Sequence, residues 1–290
     1  MTLCAACLSA QAPNVLYVEN AAGPPQNVTC NPGCGSLPVA PNTWMSLYGT
    51  GLSPIARPWN SSDFLDGQMP TSLTGVSVQL IGDFGSNSSY SAFVSYISPT
   101  QINILTPPNL GSNQGDDSTG YGFQVRVSNP LTPQAYLTNC SNAYDCPFVE
   151  SASAAPAFFM LGSTGYAVAE HADGSLVAPS GAFPGSSPAT RGETVVIYAN
   201  GLGPTSGTIT PGAEVQSGTL TTSPVVMIAN EASKVSFAGL ISPGLYQLNV
   251  TIPGEAPSGN DVLAVSVMAM IDGFLSPDSS LPTVLIAVGE

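Results

Sequence analysis

His171 is the one histidine in the chain, so any Ser-His-acid relay would have to use it. It follows Glu170 and precedes an Asp-Gly pair in "EHADGSL", and no Gly-x-Ser-x-Gly elbow accompanies it. That context reads as a solvent-facing strand residue beside a hairpin turn. A single histidine also rules out zinc and iron sites of the His-rich type. Paired carboxylates could serve glycoside hydrolysis, and the candidates are Asp63, Asp66, Asp116, Asp117, Glu170 and Glu193. Most fall in loops rich in Gly, Ser and Asn, where acids simply face water. Two of those loops could offer oxygens to calcium: "DFLDG" with Asp63 and Asp66, and "NQGDDSTG" with Asp116 and Asp117. Neither follows the EF-hand pattern. No other cofactor is implied, and the chain reads as non-catalytic.

The cysteines form three close pairs, Cys4/Cys7, Cys30/Cys34 and Cys140/Cys146. An even count in a lysine-poor chain rich in Asn, Ser and Thr suggests disulfides and an oxidising compartment. Zinc is the rival reading, since Cys4/Cys7 and Cys30/Cys34 nearly fit knuckle spacing. Local 30–34 and 140–146 loops are the simplest pairing, but spacing alone leaves connectivity open. The opening "MTLCAACLSAQAP" resembles the tail of a secretion signal, small and apolar and ending in Ala-Gln-Ala, without a positive leading region.

Aromatic side chains could stack against sugars. Trp44, Trp59, Tyr48, Tyr90, Tyr96 and Tyr121 are the pool. Trp44 leads into an alternating apolar segment and is expected inside, whereas Trp59 in "ARPWNSSD" is expected outside. Trp59 and Tyr90 are therefore the glycan candidates. Asn27, Asn60, Asn87, Asn139 and Asn249 begin Asn-x-Ser/Thr triplets, which an Asn/Ser/Thr-rich chain produces readily.

Charge narrows the partners. Arg57, Arg126, Arg191 and Lys234 are the only Lys and Arg side chains, and the net charge is −14. A nucleic-acid backbone needs several cations, so nucleic acid is excluded as a partner, and an anionic membrane surface with it. No apolar run is long enough for a spanning helix. Charged residues make up 8%, against about 25% in ordinary globular chains, while hydrophobic residues make up 43%. That balance argues for packed cores, not disorder.

Those cores must be built from strands. Apolar residues recur every second position in "GVSVQLIG" (Val76, Val78, Leu80), "GFQVRVSN" (Phe123, Val125, Val127) and "YQLNVTIP" (Leu248, Val250, Ile252). Gly, Pro, Asn, Asp and Ser clusters punctuate these runs at short intervals, the pattern of a sandwich or barrel. "HADGSL" reads as a hairpin whose Asp-Gly supplies positive φ angles.

The same phrases occur twice. "YGTGLSP" (48–54) returns as "YANGLGP" (198–204), "GVSVQL" (75–80) as "PVVMIA" (224–229), and Gln101-Ile102-Asn103 as Gln247-Leu248-Asn249. Three ordered matches at nearly constant spacing indicate a duplicated unit of sandwich size. In each copy of "ISP…Q-apolar-N-apolar" the proline breaks one strand and the next segment restarts pairing. The organisation expected is an N-terminal arm over 1–40 and two tandem immunoglobulin-like β-sandwiches over 41–150 and 151–290.

The ordered motifs at Gly75–Val78, Ser98–Asn103, Ala154–Phe158, Asp173–Ser175, Thr190–Gly192, Val196–Gly203 and Phe237–Pro253 resemble those of the uncharacterised Solibacter-type C-terminal domain family of secreted bacterial proteins. The resemblance covers about 250 residues. That family is similar to immunoglobulin-like modules of the IPT/TIG kind. The resemblance implies an extracellular location, no assigned activity and no catalytic residues. Departures from the family pattern are expected here in a cysteine-bearing arm and in the pattern standing nearly alone, without a large upstream enzyme or propeller.

Within the arm, "NVLYVEN" (14–20) alternates like a strand, with Asn14, Val15, Leu16, Tyr17 and Val18 as its first five residues. It could pair with its own first sandwich or add to the open edge of a neighbour. A head-to-tail contact of the second kind propagates into a fibre. The sequence therefore reads as an extracellular, non-catalytic structural protein that assembles with itself or with other surface proteins into a cell-surface fibre, filament or matrix. The alternative is a polysaccharide-binding adhesion module using exposed aromatics.

Overall fold

A computed structural model describes residues 12–22, 40–82, 88–111, 122–137, 148–150, 152–267 and 284–290. Within them the chain is all-β, with a short 3-10 turn at Ser61–Asp63 and no α-helix. The first half runs through β1 (Asn14–Asn20), β2 (Trp44–Thr50), β3 (Arg57–Pro58), β4 (Ser72–Leu73), β5 (Val76–Gly82) and β6 (Ser89–Ser91). It continues with β7 (Phe93–Ile97), β8 (Gln101–Leu105), β9 (Gly122–Asn129), β10 (Thr132–Leu137) and β11 (Phe148–Glu150). The second half begins with β12 (Ala157–Phe158), β13 (Ala169–Glu170), β14 (Thr194–Asn200), β15 (Gly218–Thr219) and β16 (Val225–Ile228). It ends with β17 (Glu231–Ser242), β18 (Leu245–Thr251), β19 (Gly259–Ser266) and β20 (Leu285–Val288).

Two sheets make the first half, ordered β1-β2-β8-β7-β3 and β10-β9-β5-β4, with β6 on β5 and β11 on β9. Their inward residues meet in one core, Val15, Met45 and Leu47 from the first facing Val78, Leu80 and Val125 from the second. The alternation read from the sequence is real: Val76, Val78 and Leu80 are at most 1% exposed, while their neighbours in β5 are half-buried. Each such side chain contributes about 1.5–3 kcal/mol when buried. The second half curls one continuous path, β12-β14-β18-β17-β16-β19-β20, around a core that includes Phe158, Ile197, Val226, Leu248 and Ile286. Strand β17 pairs with β18 at one end and β16 at the other. Its counterpart in the first half is interrupted at Ala92, leaving β6 on β5 and β7 on β8.

The repeated phrases pair alike. Tyr48 faces Gln101 and Ser46 faces Asn103; Tyr198 faces Gln247 and Val196 faces Asn249. In both copies the Gln amide donates to the Asn Oδ1 two residues on, at 2.8 Å each. Ile-Ser-Pro does end a strand in both places, after Ile97 and after Ser242. The Ser98 hydroxyl accepts from the backbone N–H of Gln101 at 2.8 Å and so shapes the first turn. The "HADGSL" hairpin forms too, but Gly174 (φ 83) alone takes the positive φ; Asp173 instead accepts from Ser175 N–H at 3.0 Å.

The arm strand lies on its own chain. β1 runs antiparallel to β2, with Asn14 facing Thr50 and Val15 facing Gly49. In the second half Ala157 faces Asn200 and Phe158 faces Ala199, the same positions 150 residues on. β1 therefore fills the place in the first half that β12 fills in the second, and Val15 and Phe158 are both buried in their cores. Gly49 makes the approach possible, because a Cβ there would run into the Asn14 carbonyl.

Candidate functional site at the junction of the two halves

A connected set of buried and part-buried polar contacts lies where the halves meet. Asn200 ends β14 and is fully buried. Its Oδ1 accepts from Trp44 N–H at 2.9 Å, and its Nδ2 donates to Trp44 O at 2.8 Å and to Asn20 Oδ1 at 2.7 Å. Asn20 in turn donates to Ala155 O at 2.8 Å. One amide thus joins β1, β2 and the second half, with both of its N–H donors and its carbonyl oxygen engaged. The indole N–H of Trp44 donates to Pro243 O at 2.9 Å, in the turn between β17 and β18. A Cβ on Gly244 would stand 2.5 Å from Trp44 Cδ1, so only glycine lets that turn lie against the indole. The loop after β14 also reaches back, with Met69 N–H donating to Gly212 O at 2.6 Å and Glu214 N–H to Gly67 O at 3.1 Å.

A crevice of about 250 Å³ opens beside this seam. Asn42, Pro108, Gly203, Pro204, Ile209 and Tyr246 are among its walls. Asn42 is 4% exposed and sits at φ 52, a left-handed backbone that asparagine tolerates. Neither Oδ1 nor Nδ2 of its side chain has a hydrogen-bond partner among the described residues. The Tyr246 hydroxyl donates to Gly203 O at 2.9 Å. Burial pushes its phenol pKa up, and the nearby Asn42 amide pulls weakly the other way without a well-formed hydrogen bond.

His171 has different neighbours from those its sequence context suggested. Its Nδ1 lies 2.5 Å from Glu193 Oε1, and its Nε2 lies 3.0 Å from Ser187 O and 3.1 Å from Ser187 Oγ. Glu170 is taken by the Tyr198 hydroxyl at 3.0 Å. A hydroxyl, an imidazole and a carboxylate are therefore in line, as in a charge-relay site. Two things argue against acyl transfer. A carbonyl beside Nε2 favours a proton there, which removes the base. No spare backbone donor flanks Ser187 Oγ: Ser187 N–H donates to Leu176 O, Pro188 has none, and Ala189 N–H donates to Ala287 O. The group acts as a latch between the 171–176 hairpin and the 187–193 loop. Burial lowers the His171 pKa, but hydrogen bonds to Glu193 and the Ser187 carbonyl outweigh it and leave it raised.

The other sequence candidates fall as follows. Asp63 is engaged by Arg57 in a two-pronged ion pair at 2.8 and 2.7 Å, which lowers its pKa, so it is not available as a calcium ligand. Asp66 is exposed, and among the described residues no group of three His, Cys, Asp or Glu converges. Tyr90 is 6% exposed and packs edge-on to Phe123 in the first core, so it presents no face to a sugar. Trp59 is half-buried, 5.8 Å from Trp44 and 4.9 Å from Phe64 at steep angles, a packed cluster in place of an open platform. Asn60 uses its side chain to cap the 3-10 turn. Asp116, Asp117, Tyr121, Asn27, Asn87 and Asn139 lie outside the described residues. So do all the cysteines, Cys4, Cys7, Cys30, Cys34, Cys140 and Cys146, and with them the expected disulfide pairs Cys4/Cys7, Cys30/Cys34 and Cys140/Cys146. Sequence reasoning missed Asn200 and Asn42. The signal for Asn200 was present: it is a polar residue at the close of an alternating strand, where the other copy has Thr50.

No protein-family model and no curated protein matches the chain. Among solved structures, the extracellular region of plexin A4 (domains 1 to 8) is 13% identical over 92% of this chain and 18% of that one, with a TM-score of 0.19. A second plexin A4 structure, domains 1 to 10, is 12% identical over 100% of this chain and 16% of that one, at 0.20. Domains 5-6 of the S-layer protein SbsC are 11% identical over 96% of this chain and 98% of that one, at 0.24. The chain thus spans less than a fifth of either plexin chain. No helix among the described residues is long and apolar enough to cross a membrane.

Proposed function

We propose that the chain is a non-catalytic structural module of an extracellular assembly, a fibre, filament or matrix at a cell surface. The observation that carries this reading is the fully buried Asn200 junction, which ties two β bodies and the N-terminal strand into one unit able to transmit force. The family resemblance, the cysteine pairs and the scarcity of lysine support an extracellular setting. The missing oxyanion donors at Ser187 support the absence of acyl-transfer chemistry.

Self-association in this reading runs along the outer edge of β1, the side away from β2. No strand of the described residues pairs there. Leu16 on that strand is 51% exposed, and β1 carries no lysine, arginine or proline to guard the edge. A second copy adding its own edge would extend the sheet through main-chain hydrogen bonds. Sedimentation and electron microscopy of the full chain test this. Wild-type protein is expected to form concentration-dependent oligomers or filaments, and Leu16→Lys to stay monomeric. A wild-type monomer at every concentration would overturn the assembly.

A further inference from the structure

We infer that Asn200-Gly201 is a deamidation site that the docked seam keeps silent, so that loss of the amide makes an opened seam irreversible. It is the one Asn-Gly pair in the chain. Such a pair is labile because glycine, lacking a Cβ, leaves its nitrogen unhindered and its backbone free to bring that nitrogen to the asparagine side chain. The Gly201 nitrogen bonds to Asn200 Cγ, the Cγ–Nδ2 bond breaks, and the amide leaves as ammonia with the Gly201 proton. Water then opens the cyclic imide at either carbonyl, giving aspartate or isoaspartate. Nothing but water is consumed.

The seam dictates both residues. A Cβ at Gly201 would stand 2.2 Å from Ala155 O, on a backbone at φ 67, so the position takes only glycine. Asn200 supplies one acceptor and two donors, all engaged by Trp44 and Asn20. The first copy has Thr50-Gly51 at this place and no amide to lose. Docking requires the labile pair and also protects it. Asn200 is fully buried, its backbone lies in the ladder opposite Ala157, and Gly201 O accepts from Ala155 N–H at 2.8 Å. For Cγ to reach the Gly201 nitrogen, the side chain must give up all three hydrogen bonds at once. Separation of the halves frees it, so the population of open seam sets the rate. The product cannot dock as before. A carboxylate only accepts, yet two of the former partners, Trp44 O and Asn20 Oδ1, are acceptors as well, and its charge would be buried unpaired. Isoaspartate also adds a carbon to the backbone, which displaces Gly201 from Ala155. The inference is independent of self-association along β1 and survives the failure of that reading.

Mass spectrometry of the full chain after incubation at mildly alkaline pH tests it. Trypsin releases residues 192–234, and fragmentation assigns the change to Asn200 and separates aspartate from isoaspartate. The folded wild type is expected to deamidate at Asn200 at least about tenfold more slowly than the same chain held unfolded in guanidinium chloride. Asn20→Ala and Gly244→Ala loosen the seam from its two sides without touching the pair. Each is expected to raise the folded rate about threefold or more. Should those variants fail to fold, the wild type alone decides. Chain refolded after increasing times in denaturant is expected to lose its native calorimetric transition in proportion to the amide lost, while chain refolded at once recovers it. The inference falls if folded and unfolded chains deamidate alike, if a folded loosened variant deamidates no faster than wild type, or if deamidated chain regains the wild-type transition.

Discussion

At the scale of single residues, the His171 latch makes stability depend on pH in a direction that can be worked out. The ordinary histidine pKa of 6.5 is raised in the folded state, so the contribution is complete below 6.5 and is lost as pH rises through the raised value. Glu193 behaves in the opposite sense. Burial raises its pKa, but hydrogen bonds from Thr190 N–H and from His171 outweigh that and leave it lowered from 4.5. Its contribution is complete above 4.5 and is lost as pH falls through the lowered value. The latch is strongest between those two ordinary values. His171→Gln, which keeps hydrogen-bonding capacity without the charge, is expected to cost up to about 1 kcal/mol at pH 5.5 and less at pH 9. Denaturant unfolding at the two pH values checks this. A cost that does not change with pH would mean that the imidazole is neutral in the latch.

At the scale of elements, the strands were legible and their non-local contacts were not. Alternation at Val76, Val78 and Leu80 depends only on neighbours in sequence, so the buried face of β5 could be read directly. The duplicated Gln-x-Asn phrase was legible as a repeat because both copies use it for the same local hydrogen bond. The sequence left open whether the arm strand pairs with its own first sandwich or with a neighbour's edge, because the pairing of β1 with β2 spans residues 21–43 and no local pattern decides it. Tyr90, a glycan candidate by residue type alone, is turned by β6 onto Phe123 in the first core. The second phrase carries two more residues than the first between its proline and its glutamine, Pro243 to Gln247 against Pro99 to Gln101. That longer turn is the one that touches the other half. Gly244→Ala puts a Cβ 2.5 Å from Trp44 Cδ1 and 2.6 Å from Leu105 Cδ1 on a backbone at φ 65. It is expected to cost about 2–4 kcal/mol, by overpacking and by backbone strain, in thermal or denaturant unfolding. A neutral effect would show that the turn can lift away from the indole.

At the scale of the whole molecule, the question is whether the halves behave as one body. Each has its own apolar cluster, so each holds the main ingredient of independent folding. What joins them among the described residues includes contacts of long sequence reach: Asn200 to Trp44 and Asn20, Trp44 to Pro243, and Met69 to Gly212. Those contacts cluster where the two copies of the repeat differ, Asn200 standing against Thr50 and Ala199 against Gly49. Divergence between copies thus marks the place where they had to become complementary instead of alike. Asn200→Ala removes three hydrogen bonds from a site with no exposure and strands the Trp44 N–H. The expected cost is about 2–5 kcal/mol, and it falls on the coupling between the halves more than on either core. Wild-type protein is then expected to unfold in one calorimetric transition and Asn200→Ala in two, with a larger radius of gyration in solution scattering. If the variant still unfolds in a single transition, the docked loop and the indole hold the halves together without the amide.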